Sequence, residues 1–197
     1  MVSYVALDAL VQSLPPHYSA LSQAESDLAV GPFGYIMAVN FVNRGLLSLL
    51  FLLGFSRALK LSPGYRFGYS LVGLWAVGSM VLAAFPADVG GTPTIHGAIH
   101  LIVAIFAFLG AVLGELALSR SLRNNPSTKG VGNYAVVIAV VALASLAALF
   151  LGPSAAPAVF RSISGLVERV FIGLVLAWMF VVSASLLSLR AEEIRAS

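Results

Sequence analysis

Long apolar runs separated by short polar connections dominate the pattern of this chain. Five of the runs have about the 20 residues that a helix needs to cross roughly 30 Å of hydrocarbon. We predict membrane-spanning helices over residues 33–55, 67–85, 97–118, 134–151 and 166–189. The pattern therefore predicts an all-α integral membrane protein, a compact bundle of five full transmembrane helices that forms one domain over residues 1–197.

Residues 1–14 form a shorter apolar stretch. Val2, Val5 and Ala9 recur there at helical spacing, on the side opposite Asp8, and a proline pair ends the run. At about 1.5 Å per residue, this helix is too short to cross a membrane. Two interpretations stay open: an amphipathic helix at the membrane interface, or a truncated first transmembrane helix whose beginning lies upstream of Met1.

Composition supports the membrane assignment and limits the function classes. Hydrophobic residues make up 59% of the chain and charged residues 10%, and the mean hydropathy is +0.97, which excludes a soluble domain with a polar surface. The chain has no cysteine, which excludes disulfides and thiolate ligands. We expect membrane lipids and other membrane-protein subunits as partners, and no nucleic acid.

Positively charged residues concentrate in alternate connections of the predicted bundle. They are Arg57, Lys60 and Arg66 in the first connection, Arg120, Arg123 and Lys129 in the third, and Arg190 and Arg195 after the last span. Cytoplasmic connections of membrane proteins carry an excess of Lys and Arg. We therefore expect a multi-pass protein of the plasma membrane, with its C-terminus in the cytoplasm and residues 1–30 on the outer side.

A pair of histidines, His96 and His100, opens the third span with a spacing of one helical turn. This spacing puts both imidazoles on one face, where they and Asp88 are candidate ligands for one metal ion, most naturally zinc. Glu25 or Asp27 would then act as the general base, beside a metal-bound water. A complete site needs at least three protein ligands, so the alternative is that the histidines only cap and pack the helix.

Ionisable residues also fall inside the predicted spans. Arg44 lies about 11 residues, or roughly 16 Å, into the first span, and Asn40 lies one turn before it. An arginine there costs about 2.5–3.5 kcal/mol unless it is satisfied. Either Arg44 is bonded to carbonyl groups and asparagines to fix helix packing, or it reaches an anionic ligand. Glu168 and Arg169 open the last span and are further candidate functional residues.

Several short motifs occur in a characteristic order along the chain. They are Ser26-Asp27-Leu28, then Asn43 and Gly45, Phe85-Pro86 with Asp88, His96-Gly97, and Gly165 with Glu168-Arg169. In these motifs the chain resembles the prokaryotic membrane family catalogued as domain of unknown function 998, over most of its length from about His17 onward. The resemblance implies a six-helix protein, in which residues 1–14 are the remnant of a first helix, and it implies no established activity.

Two functions follow from these observations. The first is a non-enzymatic, lipid-associated protein or an accessory component of a membrane complex, because short loops and closely packed helices leave little catalytic machinery. The alternative is a metal-dependent membrane hydrolase that acts on a lipid or amphiphile at the outer leaflet. In that case, Asp88, His96 and His100 hold the zinc ion.

Overall fold

The computed structural model describes residues 1–59, 63–90 and 92–196, and within these ranges six α-helices account for most of the chain. Lys60, one of the charges used above to predict orientation, lies outside the described residues. The helices are α1 (Val2–Ser13), α2 (Gly34–Ala58), α3 (Pro63–Leu82), α4 (Ile95–Asn124), α5 (Lys129–Ala155) and α6 (Pro157–Ala196). Two short 3₁₀ turns, Glu25–Ala29 and Pro126–Thr128, precede α2 and α5.

Four helices of the described chain are long and apolar enough to cross a membrane. They are α2, α4, α5 with the turn before it, and α6 as far as Leu189. The prediction of an all-helical, multi-pass membrane bundle is therefore confirmed. The predicted span at residues 67–85 corresponds to α3, which does not reach the same mean hydropathy because Tyr65, Arg66 and Tyr69 occupy its first two turns. This helix nevertheless packs along α4 and completes the bundle.

Small residues set the close packing of α3 against α4. A Cβ atom on Gly110 would lie 2.8 Å from the carbonyl oxygen of Leu71, and one on Gly114 would lie 2.9 Å from the backbone nitrogen of Val72. Transmembrane helices gain van der Waals contact when such residues let their backbones approach. The glycine pair of α4 thus packs against α3 of the same chain.

Helix α1 packs along the first half of α2 in the opposite direction. Tyr4 and Val11 are only 2% and 1% exposed, and the side chains of Ser3 and Asn43 are hydrogen-bonded. The side-chain amide of Asn40 donates to the backbone carbonyl of Tyr4 at 2.9 Å. Helix α1 is therefore an integral part of the bundle, held to α2 by polar contacts as well as by apolar ones.

The connection predicted between the last two spans is mostly helical. Helix α5 continues to Ala155, with Pro153 in its last turn, and α6 begins at Pro157. Proline is well tolerated in the first turn of a helix, and the residue before a proline is disfavoured from helical geometry. Ala156 consequently marks a sharp break between two helices where the sequence pattern predicted a loop over residues 152–165.

Candidate functional site

Ionisable residues gather at one end of the bundle, which we name the Asp88 end after the residue in the α3–α4 connection. The opposite end is named the Arg57 end. At the Asp88 end, the 3₁₀ turn Glu25–Ala29 is inserted among the helices, where Glu25 is 3% exposed and Leu28 is 1% exposed. This turn, which belongs to the segment predicted to lie on the outer side, therefore brings the Glu25 carboxyl group in among the helices.

The segment of residues 19–30, which contains this turn, is tied to the fourth turn of α6. The backbone N–H of Glu25 donates to the Glu168 carboxylate at 2.9 Å. Arg169 donates to the carbonyl oxygens of Ala20 at 3.1 Å and Gln23 at 2.8 Å. Glu168 and Arg169 were both predicted as functional candidates, and their side chains hold this segment in place.

Arg44 is the central polar residue and is 1% exposed. Its Nε atom donates to the Ser79 hydroxyl at 3.1 Å, and its Nη1 atom donates to the Tyr4 hydroxyl at 2.9 Å. The same Nη1 atom lies 3.7 Å from Glu25 Oε2, which is an ion pair but too long for a hydrogen bond. Of the two interpretations drawn from the sequence, Arg44 is bonded within the bundle, although to hydroxyl groups and not to asparagines.

Aromatic rings surround the Arg44 guanidinium. Its carbon atom lies 4.5 Å from the ring centroid of Trp75, 5.0 Å from that of Phe41 and 5.3 Å from that of Tyr4. Cation–π contacts of this kind are worth about 2 kcal/mol or more when the cation is desolvated. These contacts stabilise the buried charge of Arg44. The ion pair with Glu25, which is longer than a hydrogen bond, supplies only part of that stabilisation.

Glu25 is held less completely than Arg44. Its carboxyl group lies beside Tyr4 and Asp8, yet within the described part of the chain its Oε2 atom has no hydrogen-bond partner. Burial raises the pKa of Glu25 to about 8, against the opposing charge of Arg44 and with a further rise from Asp8 and Glu168. Burial therefore favours the uncharged form of the carboxyl group, and its Oε2 atom retains an unused hydrogen-bonding position.

His100 and His96 have different environments despite their common helix face. His100 is buried, and its Nδ1 atom lies 2.7 Å from the carbonyl oxygen of Phe85. Because a carbonyl only accepts, Nδ1 carries the hydrogen and Nε2 is left as an acceptor in the neutral ring. His96 is exposed and its ring packs 5.6 Å from that of Phe85. Phe85 thus contacts both histidines, His100 through its carbonyl oxygen and His96 through its ring.

Asp88 is exposed and caps the loop before α4. Its carboxylate accepts from the backbone N–H of Thr94 at 2.8 Å and from the Thr94 hydroxyl at 2.7 Å, and these bonds lower the pKa of Asp88. The Thr94 hydroxyl in turn accepts from the N–H of Gly97. Asp27 is partly buried, and burial raises the pKa of its carboxyl. The two predicted carboxylates therefore have unlike environments.

Among the side chains that the structure describes, no group of three or more His, Asp or Glu residues is arranged to hold a metal ion. The zinc site over Asp88, His96 and His100, with Glu25 or Asp27 as base, stays a prediction of the sequence. What the structure does bring together is His100 with Glu25, since both line the same cavity.

This cavity has a volume of about 250 Å³ and two unlike walls. Four ionisable residues form one wall: Glu25, Arg44, His100 and Glu168. Apolar residues of α4 and α5 form the other, and they include Leu101, Ala104, Ile105, Leu149 and Phe150. Leu101 is 61% exposed and Phe150 is 42% exposed, so the apolar wall reaches the lipid-facing surface of the bundle.

A further buried carboxyl belongs to Glu115 on α4. Its side chain has no exposed surface, and neither of its oxygens has a hydrogen-bond partner in the described part of the chain. Although Glu115 lies only three residues before the end of the predicted span 97–118, its side chain is fully buried. Glu115 does not line the cavity, so it offers a matched comparison for Glu25.

The fold and the cavity define a multi-pass helical membrane protein with a buried polar site that reaches the lipid surface. The sequence model of the family described as "Protein of unknown function (DUF998)" matches residues 1–185, and the chain belongs to this family. The resemblance drawn from the short motifs is thereby confirmed. No curated protein and no solved structure matches the chain.

Proposed function

We propose that this protein is a non-enzymatic component of the plasma membrane that binds one lipid-like amphiphile in the cavity between α4 and α5. The observation that carries the proposal is the pairing of a polar wall, formed by Glu25, Arg44, His100 and Glu168, with an apolar wall that reaches the lipid surface. Ionisable residues are expensive inside a membrane bundle and mark functional sites. An amphiphile matches both walls at once.

The size of the cavity fits part of a lipid. Pockets that enclose a drug-sized molecule have volumes of about 300–1,000 Å³. A cavity of about 250 Å³ therefore accommodates a head group with the nearest chain atoms. The remainder of the chain would lie in the bilayer along Leu101 and Phe150, which are exposed at the rim.

One feature favours lipid binding over an accessory role in a larger complex. The Gly110 and Gly114 pair, a common surface for helix association, packs within the chain. The cavity is accordingly the feature on which the proposed function rests.

The first prediction concerns a substitution that fills the cavity. We expect wild-type protein purified in mild detergent to retain about one amphiphile per chain, and Ala104→Phe to lose most of it, because the larger ring would occupy the space between the walls. Native mass spectrometry measures the bound mass. Ala144→Phe is the matched control, since Ala144 is exposed on α5 and does not line the cavity.

Retention of the amphiphile by Ala104→Phe at the wild-type level would contradict the proposal, as would its absence from wild-type protein taken directly from native membranes. Both variants are first checked for a folded, monodisperse species. If Ala104→Phe does not fold, Ala104→Leu carries the same expectation, with a partial loss.

A second prediction concerns orientation. We propose that the Arg57 end and the C-terminus face the cytoplasm, because Arg57, Arg66, Arg120, Arg123 and Lys129 all lie towards that end. A green fluorescent protein fused after residue 197 is expected to fluoresce, and alkaline phosphatase fused there is expected to be inactive. Fusions within residues 87–93 are expected to show the reverse. The opposite pattern would overturn the orientation and leave the cavity unaffected.

A further inference from the structure

An apolar cavity of about 390 Å³ lies between α2 and α6 towards the Arg57 end, and we name it the α2–α6 groove. Leu50 and Leu187 line it and are 62% and 70% exposed, so the groove opens to the lipid-facing surface. Gly54 also lines it, and apart from its own helix no heavy atom lies within 4 Å of the position that a Cβ atom would take there. The groove therefore offers space for a hydrocarbon chain.

A polar cavity of about 350 Å³ adjoins this groove. It is lined by the end of α2, the connection between α4 and α5, and α6, and it shares Arg57, Ala58 and Leu186 with the groove. Its other polar residues are Asn125, Ser127 and Thr128. Arg57 thus lies where an apolar cavity meets a polar one, which is the arrangement that a lipid with a polar head group requires.

Arg57 and Ser127 have hydrogen-bonding capacity that the protein does not use. A guanidinium has five N–H donors, and within the described part of the chain that of Arg57 has neither a hydrogen bond nor an ion pair. The backbone N–H of Ser127 donates to Asn125 Oδ1, whereas its hydroxyl group has no partner among the described residues. Ser127 also lies in the first turn of the helix that continues to Ala155, so the positive end of the helix dipole lies at this cavity.

The charges at this end favour an anion. Among the described side chains, the exposed charged residues here are all cations: Arg57, Arg66, Arg120, Arg123 and Lys129. The described residues that line the two cavities include no carboxylate, in contrast to Glu25 and Glu168 in the cavity between α4 and α5. A negatively charged head group therefore finds a free guanidinium without a competing anion.

We propose that these two adjoining cavities bind one phospholipid with an anionic head group. Its phosphate accepts hydrogen bonds from the Arg57 guanidinium, whose planar donors match phosphate oxygens in pairs, and from the Ser127 hydroxyl. One acyl chain lies in the α2–α6 groove. In the orientation proposed above, the site opens to the cytoplasmic leaflet, where anionic lipids attract Lys and Arg. This is a second lipid site, separate from the cavity between α4 and α5.

The head-group charge distinguishes this site from a general affinity for lipid. Phosphatidylcholine carries the same phosphate together with a trimethylammonium cation. Among the described residues, the lining of the polar cavity offers that cation neither a carboxylate nor an aromatic ring. Phosphatidylglycerol replaces the cation with neutral hydroxyl groups. A comparison of these two lipids with identical acyl chains therefore isolates the effect of net charge.

The experiment titrates delipidated full-length protein in mild detergent with palmitoyl-oleoyl phosphatidylglycerol or phosphatidylcholine, and native mass spectrometry counts the bound lipids. We expect one saturable site with at least about fivefold higher affinity for phosphatidylglycerol, the factor that corresponds to one Lys or Arg near an anionic lipid surface. Arg57→Gln is expected to reduce this preference to about twofold or less. Arg66→Gln is the matched control, because it removes an exposed cation from the same end but outside both cavities.

A second pair of variants tests the groove. Gly54→Phe is expected to weaken phosphatidylglycerol binding about tenfold, as the loss of roughly two buried methylene groups would, because the ring occupies the open space. Gly173→Phe is the matched control, since Gly173 is equally open and lines neither cavity. If Gly54→Phe does not fold, Gly54→Leu replaces it and is expected to weaken binding in the same direction.

Three results would overturn the inference: equal affinity for the two lipids in the wild type, an equal loss of preference in Arg57→Gln and Arg66→Gln, or unchanged binding in Gly54→Phe. The second would show that net charge attracts the lipid without this site. Ala104→Phe, in which the cavity between α4 and α5 is filled, is expected to leave the phosphatidylglycerol titration unchanged. Loss of this binding in Ala104→Phe but not in Gly54→Phe would assign the lipid to that cavity, which would support the proposed function and overturn the second site.

Discussion

Arg44→Ala is expected to destabilise the bundle by about 3–5 kcal/mol, the cost of removing one partner of a buried ion pair. The substitution removes hydrogen bonds to Ser79 and Tyr4 and leaves Glu25 without its nearest opposite charge. It also leaves a void among the three aromatic rings that surround the guanidinium. Reversible unfolding in mixed micelles measures the free energy of unfolding.

Two comparisons test the origin of this loss of stability. Arg57→Ala removes an exposed arginine from the same helix and is expected to change the free energy of unfolding by less than about 0.5 kcal/mol. The double variant Arg44→Met/Glu25→Gln is expected to be more stable than Arg44→Ala, because it removes both charges and refills the space. A loss of under about 1 kcal/mol in Arg44→Ala would contradict this account of the buried arginine.

Gly165→Ala is the second substitution with a large expected effect. A Cβ atom there would collide with the carbonyl oxygen of Gln23 and lie 2.8 Å from that of Ala20. The 19–30 segment must then move away from α6, which lengthens the hydrogen bonds that Arg169 makes to the same carbonyl groups. We expect amide hydrogen exchange in residues 19–30 to rise about fivefold to 150-fold, the equivalent of a cost of overpacking of about 1–3 kcal/mol.

Gly173→Ala is the matched control for this change. It lies two turns further along α6, and apart from its own helix no heavy atom lies within 4 Å of the position that its Cβ atom would take. Alanine in an open helical position is favoured over glycine by about 0.5–1 kcal/mol, so exchange in residues 19–30 is expected to stay unchanged. Equal exchange in the two variants would show that the segment is not held by its contact with Gly165.

The sequence predicts the helices of the bundle well and their limits less well. Apolar runs locate α2 and α4, since length and hydropathy alone decide whether a segment can cross a membrane. The same criterion treats residues 152–165 as a loop, although alanine and a first-turn proline make most of this stretch helical. The sequence also predicts a span at residues 67–85. The corresponding helix α3 has a lower mean hydropathy than the four long apolar helices, because polar residues occupy its first two turns.

The site shows what residue spacing reveals and what it does not. Glu25, Arg44, His100 and Glu168 were each singled out as ionisable groups in an apolar chain, yet they were assigned to separate features. Glu25 and Glu168 are 143 residues apart, and only the tertiary fold brings them together. The apolar wall gives no signal in the sequence, since residues such as Leu101 and Phe150 resemble every other lipid-facing residue.

The buried turn at Glu25–Ala29 also determines how a ligand would exchange. Glu25 and Ser26 of this turn line the cavity, and Leu101 and Phe150 are exposed at its rim. We infer from this arrangement that the path into the site runs sideways through the bilayer. Occupancy would then follow the mole fraction of the amphiphile in the surrounding leaflet and not its concentration in water. A sparingly soluble molecule could fill such a site at a vanishing aqueous concentration, and changes in leaflet composition would alter its occupancy directly.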